Sequence, residues 1–582
     1  MKRALLFPFL IAARALLAAS DPVPGQPDKS PSEYYTVEDI AMPPGLSVEV
    51  GGLAFMPGGK LVACFHRGEV YTCDTETKEW KLFAQGLQDP LGLIAPKDGE
   101  VLVMQRSELT RLRDTDGDGV ADSYETICDA FGMSGNYHEF AFGPVAAPDG
   151  GWYAALNLAS NGSGVRYEVR GEYRERGRAG LMFSAVPWRG WVVKIAPDGK
   201  LTPWANGFRS PNGLGLDARG RLFVSDNGGD WGGASAIYHV EKGKFYGHPA
   251  SLAWKPREMR PPQTIPLLEL DKERVRGAVC LPANIMANSP TQPLADSTAG
   301  KFGPFAGQWV IGEMIHPRLI RAALEEVGGQ LQGMVAPLLD GHGLRTGNNR
   351  LAFAPDGSLW VGQTDHGWPG ARGIQRISWT NKAPLDVKEM HLTKTGFDLV
   401  FTRPLEADSA SQAGSYPAQR YYYEYHAAPG AKQLELENIT PKTVTVSEDR
   451  TKVTIEFDPL TPWRLYQFDL KALKAEDGAP IANPLVIYTL NHLLERTPPP
   501  PPPEAAAEGG NRAPDQKPPP ARKGAEKKTD SSDKPEPAAT PKPADTTPKP
   551  AGRKPATPTP APATPTPGTK PKATPPLRPG GR

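Results

Sequence analysis

Apolar residues in this chain come in short blocks rather than in helical stripes, and the blocks are paired across tight turns. The segments GLAFMPGGKLVACF, GLGLDARGRLFVSDN and RLAFAPDGSLWVGQTD share one layout: an apolar run, a turn rich in Pro, Asp and Gly, and a second apolar run. GLIAPKDGEVLVMQ and EFAFGPVAAPDGGWYAALN are looser copies, and FGPFAGQWVIGEM lacks the PDG-type turn. Apolar runs of this length bounded by turn residues read as strands, and each pair as a hairpin. A lone hairpin cannot bury its faces; radial stacking of several can. The copies predict a six-bladed β-propeller over residues 34–380, with five or seven blades left open by the uneven spacing.

Beyond Trp379 the pattern changes to LDVKEMHLTKTGFDLVFTRPL, RYYYEYHAAPG, TVTVSEDRTKVTIEFD and PWRLYQFDL. These short alternating strands predict a β-sandwich of immunoglobulin or fibronectin-III type over residues 384–496, with a structural or adhesive role. The fold class is therefore all-β. From Thr497 onward, TPPPPPPEAAAEGG opens a Pro-, Ala-, Lys- and Thr-rich run that continues to Arg582. Such a composition buries too little apolar area to offset chain entropy, so residues 497–582 are expected to be disordered with polyproline II character. They would act as a spacer or as a basic tether to polyanions of the cell envelope.

Charge and cysteines narrow the function classes. A net charge of +1 over 582 residues gives no reason to expect nucleic acid as a partner. Lys2 and Arg3 precede the apolar ALLFPFLIAARALLAA, and small residues lead to Ser20. Residues 1–20 thus read as a signal peptide, placing the mature chain in the periplasm or outside the cell. No later apolar run is long enough to span a bilayer. Four cysteines fit an oxidising compartment. Cys64 and Cys73 flank a short turn and could bridge neighbouring strands, leaving Cys128 and Cys280 to pair or to stay as buried thiols. Without CxxC or CxxCH, a cysteine zinc site and a covalently attached c-type haem are both disfavoured.

One loop carries a metal signature. RDTDGDGVADSYE places carboxylates at Asp114, Asp116, Asp118, Asp122 and Glu125, a glycine at Gly119, and the backbone carbonyl of Val120 between them. This is the oxygen-ligand spacing of an EF-hand calcium loop. The residues before it alternate as a strand, and only DSYETICDAFG after it could form a helical turn. Without a helix pair to open, bound Ca2+ would staple the loop rather than switch it.

The stretch GNYHEFAFGPVAAPDGGWYAALN places His138 shortly before a hairpin. Here the chain resembles the glucose/sorbosone dehydrogenase family, propellers that bind pyrroloquinoline quinone (PQQ). The resemblance implies that His138 is the general base. A second stretch, FRSPNGLGLDARGRLFVSDNGGDWGGASAIYHVEKGKFYGHP, is similar to the family's RNPxGL…GxNYGWP region. By that match Arg209 contacts the quinone carboxylates, Ser210 replaces an Asn, and Asn227 lies near a polar cofactor contact. Where the family has a cofactor-binding Lys, in QWVIGEMIHPRLIRA, His316 is the nearest basic residue; Arg345 and Arg350 lie near the family's paired arginines. The chain also resembles secreted "membrane-bound dehydrogenase"-type propellers of planctomycete and verrucomicrobial bacteria. A sugar would be the substrate: His138 takes a hydroxyl proton as hydride moves to the quinone, and an external acceptor removes the electrons.

Other readings stay open. SPNGLGLDARGRLFVSDN is equally similar to gluconolactonase-type lactone hydrolases, which would make Asn212 and Asp226 metal ligands with Glu49 or Glu69. A non-catalytic propeller that binds glycans or proteins is the third. His342 and His366 also border hairpins, and Trp231 and Trp368 stand beside glycines where they could stack on sugar rings.

Overall fold

The computed structural model describes residues 32–161, 169–366, 369–430, 432–457, 459–501 and 503. The expected signal at 1–20, almost all of the Pro-rich segment and Trp368 lie outside them.

Each repeated segment supplies strands to a four-stranded antiparallel group. The first group is Val50–Phe55, Leu61–Phe65, Val70–Cys73 and Trp80–Ala84; the second is Leu93–Lys97, Glu100–Met104, Leu109–Arg113 and Ser123–Cys128. The third is Ala141–Ala146, Trp152–Leu156, Trp191–Ile195 and Leu201–Asn206; the fourth is Pro211–Leu216, Leu222–Asp226, Ser235–Val240 and Val279–Leu281. The fifth is Pro290–Ala295, Trp309–Glu313, Arg318–Val327 and Gln330–Asp340. The sixth takes Asn348–Phe353, Leu359–Gln363 and Gly373–Trp379 and borrows its outer strand, Tyr35–Asp39, from the start of the chain. First strands of successive groups touch, and the sixth meets the first. The result is a propeller-like all-β fold.

Local chemistry explains the regularity. Leu61–Phe65 is buried along its whole length, as a strand covered on both faces must be. In the APDGS turn of the sixth group, Gly357 has φ +92° and donates to the Ala354 carbonyl at 2.9 Å, a conformation that favours glycine. Gly92 lets two groups approach: a Cβ there would lie 2.0 Å from the Gly143 carbonyl oxygen. In the fifth group FGPFAGQWVIGEM provides only Trp309–Glu313; its inner partner is Pro290–Ala295. Pro290 and Pro293 hide that strand from a hydrophobic reading, yet an inner edge strand tolerates them.

The second half of the chain forms two further sheets. Val387–Leu392, Gly396–Phe401, Lys452–Glu456 and Thr443–Val446 make one. Gln433–Ile439, Ala418–Tyr423, Arg464–Asp469 and Leu485–Leu490 make the other, which continues into the fifth group because Gly333–Val335 pairs with Ile487–Thr489. The change of pattern near residue 380 therefore marks a new sheet arrangement without a gap between two cores. Phe397, Phe468 and Tyr488 pack with Met334 and Ala336. Fully buried Arg321 and Asp386 pair across the same junction at 2.8 Å.

All four cysteines are free thiols. The expected Cys64–Cys73 bridge fails on register: Cys64 faces Val70, and Cys73 faces Leu61.

At the axis sits Arg350. Its Nε donates to the Gly51 carbonyl at 3.0 Å, its Nη2 to the Leu91 carbonyl at 3.0 Å and its Nη1 to the Asn349 and Asn212 carbonyls at 2.7 and 3.3 Å. The guanidinium also lies 4.8 Å from the centre of the Phe142 ring. Burial pulls its pKa down to about 10, so it stays charged at neutral pH. Arg350→Met should cost at least about 3 kcal/mol, because several buried carbonyls lose their donor at once. The urea midpoint measures this, with Arg350→Lys expected to recover only part of the loss.

Candidate functional site

The segment before the third group is built to hold one imidazole. Buried Glu139 accepts from the Ser134 N–H at 2.6 Å and its hydroxyl at 2.8 Å. Buried Arg189 donates to the carbonyls of Gly132, Glu139 and Phe140 at 2.8–2.9 Å. Asn136 Oδ1 accepts from the His138 N–H at 3.0 Å. With its backbone so fixed, His138 donates from Nδ1 to the Leu158 carbonyl at 2.8 Å. That leaves Nε2 as an acceptor, 3.4 Å from Ser210 Oγ. Burial lowers the His138 pKa to about 4, opposed by the Leu158 carbonyl and reinforced by Arg209 and Arg106. It is a neutral base at physiological pH.

Ser210 borders a small cavity at the centre of the ring, shared with Asn157, Asn227, His66 and His366. Its volume of about 30 Å³ has room for an ion with a water or two. The side-chain oxygens of Asn157 and Asn227 are buried without a protein donor, while Asn227 Nδ2 donates to Ser289 Oγ at 2.9 Å. Both are positioned to accept from a hydroxyl.

The cations implied by the family resemblance are not directed into this cavity. Arg209 donates from its backbone to Asp226 at 2.8 Å and from Nε to buried Asp230 at 2.8 Å. Asp230 also accepts from the Met182 N–H at 3.0 Å and faces His248 Nε2 at 3.3 Å. His316 lies in the turn after Trp309–Glu313, where its N–H bonds to Glu313, and the cavity is lined instead by Met314. With these pairings in place the cavity does not fit PQQ, whose three carboxylates need free cations.

The lactonase ligand set is not assembled either. Asn212 Oδ1 accepts from Arg350 at 3.3 Å. Asp226 is held by the N–H groups of Arg209 and Ser210, and burial pushes its pKa up to about 6 against those donors. Glu49 meets His366 rather than Asn212. Trp231 donates to the Ala179 carbonyl at 2.7 Å and packs against Tyr425, which removes it from sugar stacking.

Sequence reasoning named His366 and Glu49 separately but missed the polar cluster that joins them to His66 and Asp89. His66 Nδ1 lies 2.8 Å from Asp89 Oδ1, and His366 Nε2 lies 3.5 Å from the same oxygen. The two imidazoles stack, with centres 4.0 Å apart. Glu49 meets His366 Nδ1 at 3.3 Å, Arg106 bonds the other oxygen of Asp89 at 2.7 Å, and Arg372 pairs with Glu49 at 2.8 Å. Burial lowers the His66 pKa, whereas the bond to Asp89 raises that of His366. Burial alone would raise Asp89, but the histidines and Arg106 hold it far below the usual carboxylate range. A signal for His66 was present: it directly follows the second strand of its group, the place taken by Asn157, Asn227, Met314 and Thr364 in others.

The acidic loop closes the hairpin between Leu109–Arg113 and Ser123–Cys128, so the expected helical turn is a strand. Asp114, Asp116 and Asp118 converge, with ligand oxygens within 4.8 Å of one another. Asp114 is braced by the N–H groups of Gly117 and Gly119, each at 2.8 Å. Val120 donates its N–H to Asp118 at 2.8 Å, and Asp122 bonds Thr115 Oγ1 at 2.7 Å. Glu125 is not brought to the cluster: the strand turns it toward Arg111 and Arg113, each at 3.0 Å.

A family model described as a domain of unknown function (DUF7133) matches residues 69–286. No curated protein matches. Among solved structures the chain is similar to a glucose-dehydrogenase-type oxidoreductase of Thermus thermophilus, with 19% identity, 59% of this chain and 99% of that one covered, and a TM-score of 0.40. It is similar to the PQQ-bound aldose sugar dehydrogenase of Streptomyces coelicolor, with 17% identity, 60% and 100% coverage, and a TM-score of 0.40. For the apo soluble aldose sugar dehydrogenase of Escherichia coli the values are 16% identity, 59% and 99% coverage, and a TM-score of 0.40. At such identities the chemistry has to be read from this chain's own residues.

Because His138 is less basic folded than unfolded, the unfolded chain binds the extra proton between pH 6.5 and about 4. Stability should therefore fall as pH drops through that window, by about 3 kcal/mol from this residue. Denaturant melts of wild type and His138→Gln at pH 7 and 4.5 isolate the effect, which the variant should lack.

Proposed function

We propose that this chain is an exported propeller of sugar-dehydrogenase type in which one hydroxyl of a small sugar, or of a glycan end, reaches into the small cavity at Ser210, next to His138, while the rest of the sugar stays outside it. The six four-stranded groups serve as its blades and residues 1–20 as the export signal. Residues 497–582 act as a spacer near the cell envelope. The observation that carries the reading is the orientation of His138: Nδ1 is spent on Leu158, and Nε2 faces Ser210 as a neutral acceptor. Oxidising a hydroxyl needs a base for its proton and a two-electron acceptor for its hydride. His138 supplies the base, and the free amide oxygens of Asn157 and Asn227 orient neighbouring hydroxyls. The hydride goes to a two-electron acceptor supplied from solution, a quinone or a redox dye, because the cavity as paired does not hold PQQ.

The test is aldose-dependent reduction of an electron-accepting dye, with PQQ and Ca2+ added or withheld. His138→Gln should lower kcat by about 10²–10⁴-fold while calorimetry still shows sugar binding. The wild-type rate should lose its base only as pH falls through about 4. No oxidation of any aldose, with or without quinone, removes the proposal.

Ca2+ belongs, in this reading, to the loop of Asp114, Asp116 and Asp118 and has no part in the oxidation. Adding Ca2+ after EGTA treatment should raise the melting temperature by a few degrees. Asp116→Asn should abolish that gain, and Glu125→Gln should leave it intact.

A further inference from the structure

We propose that His66, Asp89 and His366 bind one divalent transition-metal ion, of the Fe2+, Co2+ or Zn2+ type, in the wall of the central cavity. The site is distinct from the acidic loop, and the inference stands whether or not the chain oxidises sugars.

Three residues from separate parts of the chain meet there. His66 follows the second strand of the first group, Asp89 precedes the second group, and His366 follows the second strand of the sixth. Their ligand atoms lie within 4.8 Å of one another. His66 Nδ1 and His366 Nε2 approach one oxygen of Asp89 at 2.8 and 3.5 Å, close enough for a small shift of the side chains to set all three about 2.1 Å from one ion. Two imidazoles and one carboxylate suit a first-row transition metal better than Ca2+ or Mg2+, which prefer oxygen ligands.

Independent features support the assignment. His66 is only 7% exposed, yet its Nε2 has no protein partner. With Nδ1 turned to Asp89 and the ion, this Nε2 is left for a water. Asp89 holds φ +47°, a left-handed conformation uncommon outside glycine that concentrates at functional sites. Glu49 accepts from His366 Nδ1 at 3.3 Å, the carboxylate–histidine pairing that orients metal-binding imidazoles. Arg106 neutralises the outer oxygen of Asp89 and leaves the inner one to the histidines. Three protein ligands leave coordination positions open toward Asn157, Asn227 and Ser210, where a hydroxyl or water could bind.

The experiment uses the full chain, stripped with a chelator and titrated with Co2+ in excess Ca2+ so that the acidic loop is saturated. The expected result is one Co2+ per chain by elemental analysis, with visible d–d bands that Zn2+ displaces. His66→Gln, Asp89→Asn and His366→Gln should each lose the ion. Glu49→Gln should weaken it about 10–100-fold, and Asp116→Asn should bind Co2+ like wild type. Circular dichroism checks folding of each variant. Should the ligand variants fail to fold, wild type still decides: Cu2+ bound here must show imidazole nitrogen couplings in its paramagnetic resonance spectrum. Absence of those couplings, or Co2+ binding unchanged in a folded His66→Gln and His366→Gln double variant, overturns the proposal.

Discussion

The structure depends on a positive charge with no acid beside it. Arg350 lies where the inner strands converge and spends its donors on carbonyls of Gly51, Leu91, Asn212 and Asn349. These belong to four parts of the ring, and the Phe142 ring adds a fifth. Inner strands are edge strands, so their carbonyls on the axis have no sheet partner. One planar fork of donors satisfies several of them at once, which a lysine could not do. A buried cation is costly unless its hydrogen bonds are complete, so the arginine also holds the inner strands in register.

Part of the polar cavity wall rests on that plug. Asn212 and Asn349, which touch Arg350, line the same cavity as His66 and Asn227. The ring is also fastened from outside, because the fifth group runs on into an eight-stranded sheet. An imidazole presented at a strand end is therefore held by sheet geometry rather than by a loop of its own. His138 is the exception, and it has Arg189 and Glu139 beneath it instead.

Electrostatics separates His366, on the cavity wall, from His138 behind Ser210. His138 faces the Leu158 carbonyl and the Ser210 hydroxyl, so burial dominates and it stays neutral. His366 faces Asp89 and Glu49, so carboxylates dominate and it gains basicity. Two histidines of one ring thus shift in opposite directions. Three nearby arginines, whose charge suits an anionic cofactor, are committed to carboxylates, Arg209 to Asp230, Arg106 to Asp89 and Arg372 to Glu49, and Arg350 is spent on backbone carbonyls.

By itself the sequence determined the all-β character, the positions of most inner hairpins and the oddity of the acidic loop. Those features are local: apolar blocks, turn residues and closely spaced carboxylates act within a dozen residues. His138 was singled out by the family resemblance of the stretch around it, and its burial and bond to Leu158 came only with the structure. Only the tertiary structure decided that His66, Asp89 and His366 share one wall, since closing the ring brings residue 66 against residue 366. It alone decided that Arg209 is spent on Asp230, that Cys64 and Cys73 miss each other by register, and that Glu125 turns to two arginines. Partner choice depends on strand register and ring closure, and both are set by burying the apolar faces of all groups together. No short stretch of sequence carries that information.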